Sequence, residues 1–249
     1  MHSLLGAPGG SGVRVTGETV YIAGAGLGGA LGALRGAATV SGSNVWDGPV
    51  IFTANPTRIG TEDNGNLTIS GNITDRSYNY NLLFRPGYAG TITVSGTSNY
   101  WGGSADILGS DVSSKVILGV HNALPTNSLI TVGNATLDLN GFHQASAGLG
   151  LNGTAGSSLV DNTGAAAMLT LKPAVDRTFA GTVQGNLSLV KEGTNSQTLS
   201  GLKAYTGSTA INGAQIGPVR LSVDHMTDAP HGWPDWVSDI CSAVGRDVD

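Results

Sequence analysis

The sequence predicts an all-β protein, a right-handed parallel β-helix followed by a short irregular or helical tail. Short runs of alternating apolar and polar residues, the pattern of half-buried strands, are separated by clusters of glycine and small polar residues that are typical of turns. A strand–turn unit of this kind recurs along most of the chain. Strands this short bury a core only when similar strands stack above and below them, which is the logic of a β-solenoid.

The clearest copy of the recurring unit occupies residues 185–216. Its three alternating runs, at residues 187–190, 198–200 and 209–212, each end in a turn rich in glycine and small polar residues. The same rhythm is found in residues 129–142, where Leu137 and Leu139 are expected to face one side of a strand and Thr136 and Asp138 the other. Further strands are predicted at residues 149–151, 158–160 and 168–171.

The composition limits the classes of protein that the chain can represent. Glycine contributes 39 of 249 residues, and each glycine costs a helix interior about 1 kcal/mol relative to alanine, so long helices are disfavoured. Only 12% of residues are charged, which argues against a charge-solvated disordered chain. With 12 Lys and Arg and a net charge of −5, the sequence lacks a basic stripe, and we predict no nucleic-acid partner. The single cysteine, Cys241, excludes an intramolecular disulfide.

Serine–glycine pairs followed by an aromatic residue mark the expected corners between strands. Glycine permits a tight corner, and the aromatic ring can cover the corner and shield the stacked strands. Three copies of this arrangement are present: Ser41-Gly42 before Trp46, Ser95-Gly96 before Trp101, and Ser200-Gly201 before Tyr205.

The ordered succession of these motifs over roughly residues 20–216 resembles the passenger-associated transport repeat, also called the autotransporter-associated β-strand repeat. Residues 185–216 are similar to the repeat itself, whereas residues 32–71 and 122–144 are similar to the spacers between repeats. The resemblance implies a segment of a large bacterial secreted or surface protein, folded as a right-handed parallel β-helix. In that family the repeat is thought to assist export and folding, not to perform chemistry.

The resemblance also implies partners and a location. The implied partners are an outer-membrane translocation barrel and flanking passenger segments outside this chain, with surface glycans or host proteins as further candidates. The implied location of the full-length protein is the extracellular space or the bacterial cell surface. The N-terminus lacks the cationic and apolar pattern of a signal peptide, so we expect the chain to be an internal piece of a longer protein.

Two domains are predicted, a β-helix over residues 13–220 and a tail over residues 221–249. The alternation stops after Ile216, and a short amphipathic helix is predicted at about residues 234–245. This tail would either cap the open end of the solenoid or be a junction unrelated to the repeat protein. Residues 20–40 are apolar enough to suggest a membrane span, but their glycines and Arg35 favour a strand, a turn and a second strand.

Catalysis was considered because a glycosidase needs two carboxylates about 5–10 Å apart. Glu62 and Asp63 are adjacent, but their neighbours Asn64 and Gly65 make them a solvated turn. Nothing in the spacing of two further pairs, Asp106 with Asp111 and Asp161 with Asp176, distinguishes them as catalytic. We therefore predict that the chain is not an enzyme and has no catalytic residues.

The sequence also predicts no metal site and no cofactor. The histidines are scattered, and only His225 and His231 come near the spacing of metal ligands. Exposed loop histidines are the favoured interpretation of all five: His2, His121, His143, His225 and His231. The glycine-rich residues 24–32 superficially match a dinucleotide-binding loop, but the helix that such a loop needs is not predicted after them.

Aromatic residues cluster around a segment, residues 75–88, that interrupts the repeat: Tyr78, Tyr80, Tyr88, Tyr100 and Trp101. They could stack on sugars or plug a lateral cleft of the β-helix, and plugging is favoured because an apolar loop must cover something. The functional prediction is accordingly a structural β-helical stalk segment of an autotransporter-like protein. The alternative is a carbohydrate-binding or carbohydrate-cleaving β-helix.

Overall fold

The computed structural model describes residues 3–5, 10–26, 32–212 and 221–223. Every strand pairing within these residues is parallel, and each strand lies beside the corresponding strand of the next turn. On the longest sheet Asn66 pairs with Thr91, Thr91 with Lys115 and Lys115 with Thr136, offsets of 25, 24 and 21 residues. These offsets match the predicted coil length of about 20–25 residues, and they confirm an all-β parallel β-helix.

The first face of the β-helix, face 1, is built from two sheets that follow one another along the stack. The first sheet has seven strands: Ser3–Leu5, Leu34–Gly36, Thr57–Thr61, Leu82–Arg85, Ala105–Leu108, Ile130–Gly133 and Leu149–Leu151. The second sheet has three: Arg177–Phe179, Gln197–Leu199 and Leu221–Val223.

The second face, face 2, is a single sheet of nine strands. Its strands are Arg14–Val15, Val45–Trp46, Asn66–Ile69, Thr91–Val94, Lys115–Leu118, Ala135–Asp138, Ser158–Asp161, Thr182–Gly185 and Lys203–Tyr205. This continuous sheet runs through nearly the whole stack and sets the register of the coils.

The third face, face 3, has two separate sheets, and an isolated bridge between Thr74 and Tyr100 extends the first of them by one residue. Three strands precede the bridge, Val20–Ile22, Val50–Phe52 and Ile73–Thr74, and four strands follow it, Gln144–Ser146, Ala167–Leu171, Leu187–Glu192 and Thr209–Asn212. The strands Gly10–Ser11 and Thr39–Ser41 add a short fourth pairing to the first turns, and one 3-10 turn covers Ala155–Ser157.

The core is a continuous column of inward-facing aliphatic side chains with an aromatic cluster near its middle. Trp101 is fully buried, and its ring centroid lies 6.2 Å from that of Phe52 and 6.3 Å from that of Phe84. In the strand Leu187–Glu192 burial alternates, with Leu187, Leu189 and Lys191 inside. The alternation read from the sequence assigns the correct faces to Leu187, Ser188 and Leu189, whereas the burial of Lys191 is not indicated by it.

Three buried or half-buried asparagines at the corners tie one turn to the next. Asn99 accepts a hydrogen bond from the backbone N–H of Ile73 at 2.7 Å and donates to the carbonyl oxygen of Ala123 at 2.8 Å. Asn44 and Asn162 make equivalent bonds to the backbone of neighbouring turns. Each amide satisfies backbone groups that the corner removes from the strand ladders.

The serine–glycine pairs lie at corners, but not all at the same one. Gly42 and Gly201 come just before strands of face 2, whereas Gly96 follows a strand of face 2 and leads to face 3. The three copies therefore do not occupy equivalent positions of one repeat. What they share is a close approach between the backbones of two turns, which glycine permits. Gly96 illustrates this, since a Cβ there would lie 2.5 Å from the carbonyl oxygen of Gly71.

The stack begins before residue 13, because Ser3–Leu5 pairs with Leu34–Gly36, and it includes Leu221–Val223, which pairs with Gln197–Leu199. Residues 20–40 contain the strands Val20–Ile22 and Leu34–Gly36, as the strand–turn–strand interpretation predicts. The helix predicted at residues 234–245, the tail around it and Cys241 lie outside the described residues.

Candidate functional site: an exposed aromatic surface

The loop at residues 75–81, which is fixed by hydrogen bonds, projects from the corner between faces 3 and 1. The buried carboxylate of Asp75 organises it, accepting hydrogen bonds from the backbone N–H groups of Ser77 at 2.8 Å, Tyr80 at 2.9 Å and Gly102 at 3.2 Å. Since Gly102 belongs to the next turn, Asp75 holds the loop both to itself and to the stack. Arg76, Ser77 and Asn79 have positive φ angles of 54°, 71° and 58°.

The loop carries aromatic rings to the surface. Tyr78 is 63% exposed and stacks on Tyr80, with ring centroids 5.4 Å apart and an interplanar angle of 13°. Tyr80 packs against the core and thus provides a fixed base for Tyr78. Tyr78 is presented to solvent on a rigid support.

Two further tyrosines lie on the outer side of face 3. Tyr21 pairs with Ile51, Ile51 with Thr74, and Thr74 with Tyr100, so these four residues form one row along the stack. Tyr21 and Tyr100 are 49% and 48% exposed. Arg76 lies over Tyr21, with its Cζ atom 5.2 Å from the ring centroid, and its Nη2 donates to the Tyr21 hydroxyl at 2.9 Å. We call Tyr21, Arg76, Tyr78 and Tyr100 the aromatic surface.

The aromatic cluster thus divides into an inner and an outer part. The favoured interpretation from sequence, that these rings plug a cleft, describes Trp101 and Tyr80, which pack in and against the core. It does not describe Tyr78, Tyr88 and Tyr100, all of which are exposed. For Tyr78 the buried Asp75 accounts for the exposure, because its three backbone hydrogen bonds fix the loop that carries this ring.

The carboxylates considered for catalysis are engaged in structural hydrogen bonds. Asp106 accepts from Ser104 Oγ at 2.8 Å and from Thr131 Oγ1 at 2.7 Å. Hydrogen bonds from the side chain and the backbone of Ser113 hold the pKa of Asp111 below its ordinary value. Asp176 accepts from the backbone N–H of Ser196 at 2.7 Å. Each carboxylate shapes a turn or joins neighbouring turns.

The adjacent pair Glu62 and Asp63 lies in the turn between faces 1 and 2, as predicted. Glu62 forms an ion pair of 3.4 Å with Arg35 on face 1. Asp63 accepts a hydrogen bond from the backbone N–H of Tyr88 at 2.8 Å. The two carboxylates therefore have different partners and do not form a dyad.

The structure brings together an acidic pair that the sequence did not indicate. Asp161 pairs in register with Asp138 on face 2, not with Asp176. Asp138 accepts from Thr163 Oγ1 at 2.7 Å, and Asp161 accepts from Gln184 Nε2 at 3.0 Å. Each carboxylate thus has a hydrogen-bond donor from the protein itself, so the close approach of the two acidic groups requires no bound ligand.

Two histidines also meet across turns. His121 and His143 are 22 residues apart, about one coil, and their ring centroids are 4.8 Å apart on face 3. The Nδ1 atom of His121 accepts from the backbone N–H of His143 at 2.9 Å, and the Nδ1 atom of His143 accepts from that of Met168 at 3.0 Å. An Nδ1 that accepts a hydrogen bond leaves the proton of the neutral ring on Nε2, and both rings thereby join neighbouring turns.

The coil spacing is the signal that could have found both pairs, because residues about 21–25 apart on one face become neighbours. No group of three or more His, Cys, Asp or Glu residues that could hold a metal ion is found in the part of the chain that the structure describes. His225 and His231 lie outside that part. None of the described helices is long and apolar enough to cross a membrane.

Comparison with known proteins adds no relative. The chain matches no protein-family model, no curated protein and no solved structure. The fold defines the class of the protein, a parallel β-helical solenoid with an exposed aromatic surface near its N-terminal turns.

Proposed function

We propose that the chain is a structural stalk segment of a secreted or surface-displayed bacterial protein, of the autotransporter type that its sequence resembles. The observation that carries the proposal is the in-register stacking of nine strands on face 2, which makes one elongated body from many short turns. Each turn contacts chiefly its two neighbours, so the body can be assembled turn by turn.

Sequential assembly suits a chain that folds as it emerges from a membrane. The turns follow one another in chain order along face 2 from Arg14–Val15 to Lys203–Tyr205, and each strand pairs with the one before it. A newly exposed turn therefore finds its template already folded beneath or above it. This property supports a role in vectorial folding, with an outer-membrane translocation barrel and flanking passenger segments as the partners outside this chain.

The proposal assigns the repeat at residues 185–216 a specific role in export. Val183 pairs in register with Lys203 of the next turn. Deletion of residues 184–203 joins Val183 to Ala204 and therefore removes one turn without changing the register of the remaining strands. A matched control removes residues 117–137, because Val116 pairs with Leu137. Both deletions shorten the stack by one turn, but only the first removes two of the three alternating runs of the repeat, at residues 187–190 and 198–200.

The experiment places the chain between a signal peptide and an outer-membrane barrel and measures display by protease accessibility on intact cells. We expect display of the full chain and of the 117–137 deletion, and reduced display of the 184–203 deletion. Equal display of both deletions would contradict an export role of the repeat. Retention of the full chain inside the cell would contradict the stalk proposal.

A second candidate, a carbohydrate-binding β-helix, is favoured by the exposed tyrosines of the aromatic surface. The hydrogen-bonded carboxylates described above favour binding over cleavage. Binding and the stalk role are compatible, because the surface occupies only one side of the first turns.

A further inference from the structure

We propose that the aromatic surface, Tyr21, Arg76, Tyr78 and Tyr100, binds an anionic glycan chain whose sugars carry carboxylate groups. This inference rests on the second candidate function, carbohydrate binding, and not on export, so its test is separate from the display experiment. It assigns a ligand class to a part of the molecule that the stalk role leaves unused.

The first argument is that the loop is held in a costly conformation whose tip, Tyr78, lies outside the core. Arg76, Ser77 and Asn79 are non-glycine residues with positive φ angles of 54°, 71° and 58°. Such backbone strain persists only where surrounding contacts impose it, and it concentrates at ligand clamps and other functional sites. Here Asp75 imposes it, yet the residue at the tip of the loop, Tyr78, remains 63% exposed.

The second argument is the arrangement of the rings. One side of the Tyr78 ring stacks on Tyr80, which leaves its other side toward solvent, a flat amphipathic platform of the kind that sugar rings stack on. Tyr21 and Tyr100 are three strand spacings apart in the row through Ile51 and Thr74, about 14 Å at ~4.8 Å per spacing. A row of this length fits an extended chain lying along the stack better than a single small molecule.

The third argument is charge. The carboxylate of Asp75 is buried and accepts three backbone N–H groups, so it is not presented to a ligand. The guanidinium of Arg76 is held over Tyr21 by one hydrogen bond, and its remaining donors are available. Because the whole chain carries a net charge of −5, an anionic ligand would be attracted locally by Arg76 and not by the protein as a whole. Guanidinium groups bind carboxylates through paired hydrogen bonds.

The test measures binding of the purified chain to hyaluronate, which contains carboxylated sugars, and to dextran, which is uncharged. The variants are Tyr78→Ala, Tyr100→Ala and Arg76→Gln. The control is Tyr88→Ala, because Tyr88 is also exposed, at 53%, but lies in the turn between faces 1 and 2. Thermal unfolding of each variant shows whether it is folded.

We expect the wild-type chain to bind hyaluronate and not dextran. Removal of either tyrosine of the aromatic surface should weaken binding about five- to tenfold, the effect of losing one ring contact. Arg76→Gln should weaken it at least as much, whereas Tyr88→Ala should not change it. Equal binding of dextran, equal loss in Tyr88→Ala, or no binding of hyaluronate by the folded chain would overturn the proposal.

Discussion

The side-chain amide of Gln197 pairs with the backbone of Leu149, 48 residues away. Its Oε1 accepts the N–H of Leu149 at 2.9 Å, and its Nε2 donates to the carbonyl oxygen of Leu149 at 2.9 Å. Leu149 belongs to the last strand of the seven-stranded sheet and Gln197 to the three-stranded sheet of face 1. The amide therefore substitutes for strand pairing where the ladder of face 1 is interrupted. Gln144 makes the same pair of bonds to Leu124 on face 3.

Replacing Gln197 with leucine should destabilise the protein markedly. The variant leaves the N–H and the carbonyl of Leu149 without partners in the interior, at about 1–3 kcal/mol for each group. We expect the free energy of unfolding, measured by urea denaturation, to fall by about 2–6 kcal/mol. Gln184→Leu is the control, because Gln184 lies on the outer side of face 2 and bonds only to Asp161. Equal losses in the two variants would contradict the role given to Gln197.

A column of stacked glycines predicts a second sensitive position. Gly48, Gly71 and Gly96 lie in successive turns, and a Cβ on Gly71 would overlap the carbonyl oxygen of Gly48. Gly71→Ala should therefore force the turns apart and lower the free energy of unfolding by about 1–3 kcal/mol, the usual cost of overpacking. Gly156→Ala is the matched control, because a Cβ there would meet nothing within 4 Å. Thermal denaturation of both variants measures the difference, and an unchanged Gly71→Ala would contradict the close stacking.

The histidine pair predicts a tautomer. Because the Nδ1 atoms of His121 and His143 accept backbone N–H groups, both rings should carry their proton on Nε2 when neutral. Long-range ¹H–¹⁵N NMR spectra distinguish the two tautomers directly. A proton on Nδ1 of either ring would contradict the hydrogen bonds that join these turns. His143→Ala should also increase the hydrogen exchange of the Met168 amide.

The buried Lys191 predicts how stability depends on alkaline pH. Its Nζ donates to the carbonyl oxygens of Glu192 at 2.6 Å and Gly193 at 2.9 Å. Burial lowers the pKa of Lys191 from 10.5, although the charge of Asp176 opposes this. Between the lowered pKa and 10.5 the unfolded chain binds more protons than the folded one, so this group makes the free energy of unfolding rise with pH across that window.

The measurement compares wild-type protein with Lys191→Met by urea denaturation from neutral pH to about pH 10. The difference in free energy, wild type minus variant, should increase as pH rises. Lys172→Met controls for the loss of one positive charge, because Lys172 is exposed. A difference that stays constant or decreases with pH would contradict the burial of the Lys191 ammonium.

The fold could be predicted because short stretches of sequence are sufficient to identify its strands and turns. The alternation in residues 187–190 identifies a strand and the faces of Leu187, Ser188 and Leu189, and glycine-rich turns delimit the strands. Which turn a residue meets across the stack is not local information. Arg14 pairs with Val45, an offset of 31 residues, whereas Val183 pairs with Lys203 at an offset of 20. Because coil lengths vary in this way, the offset of 22 residues between His121 and His143 is compatible with a cross-turn contact but does not by itself assign one.

The sequence predicts where the candidate site lies, but not the directions in which its aromatic rings point. The aromatic residues of 78–101 and the interruption of the repeat are visible in the sequence. The directions of the Tyr78 and Tyr80 rings depend on Asp75, whose carboxylate also accepts a hydrogen bond from Gly102 one turn later. A hydrophobic pattern also does not predict that Gln144 and Gln197 face inward. Their hydrogen-bond partners lie 20 and 48 residues away in the sequence.

The most direct test of the parallel stack is a distance measurement by pulsed electron spin resonance between spin labels on face 2. Arg14, Val45, Thr68, Thr93, Ile117, Asp138 and Asp161 form one row of register partners. With Cys241 replaced by serine, one sample carries labels at residues 14 and 117 and another at residues 14 and 161. At ~4.8 Å per strand the backbones should be about 19 Å and 29 Å apart, so the second distance should exceed the first by about 10 Å. Equal distances, or broad distributions in both samples, would contradict the β-helix.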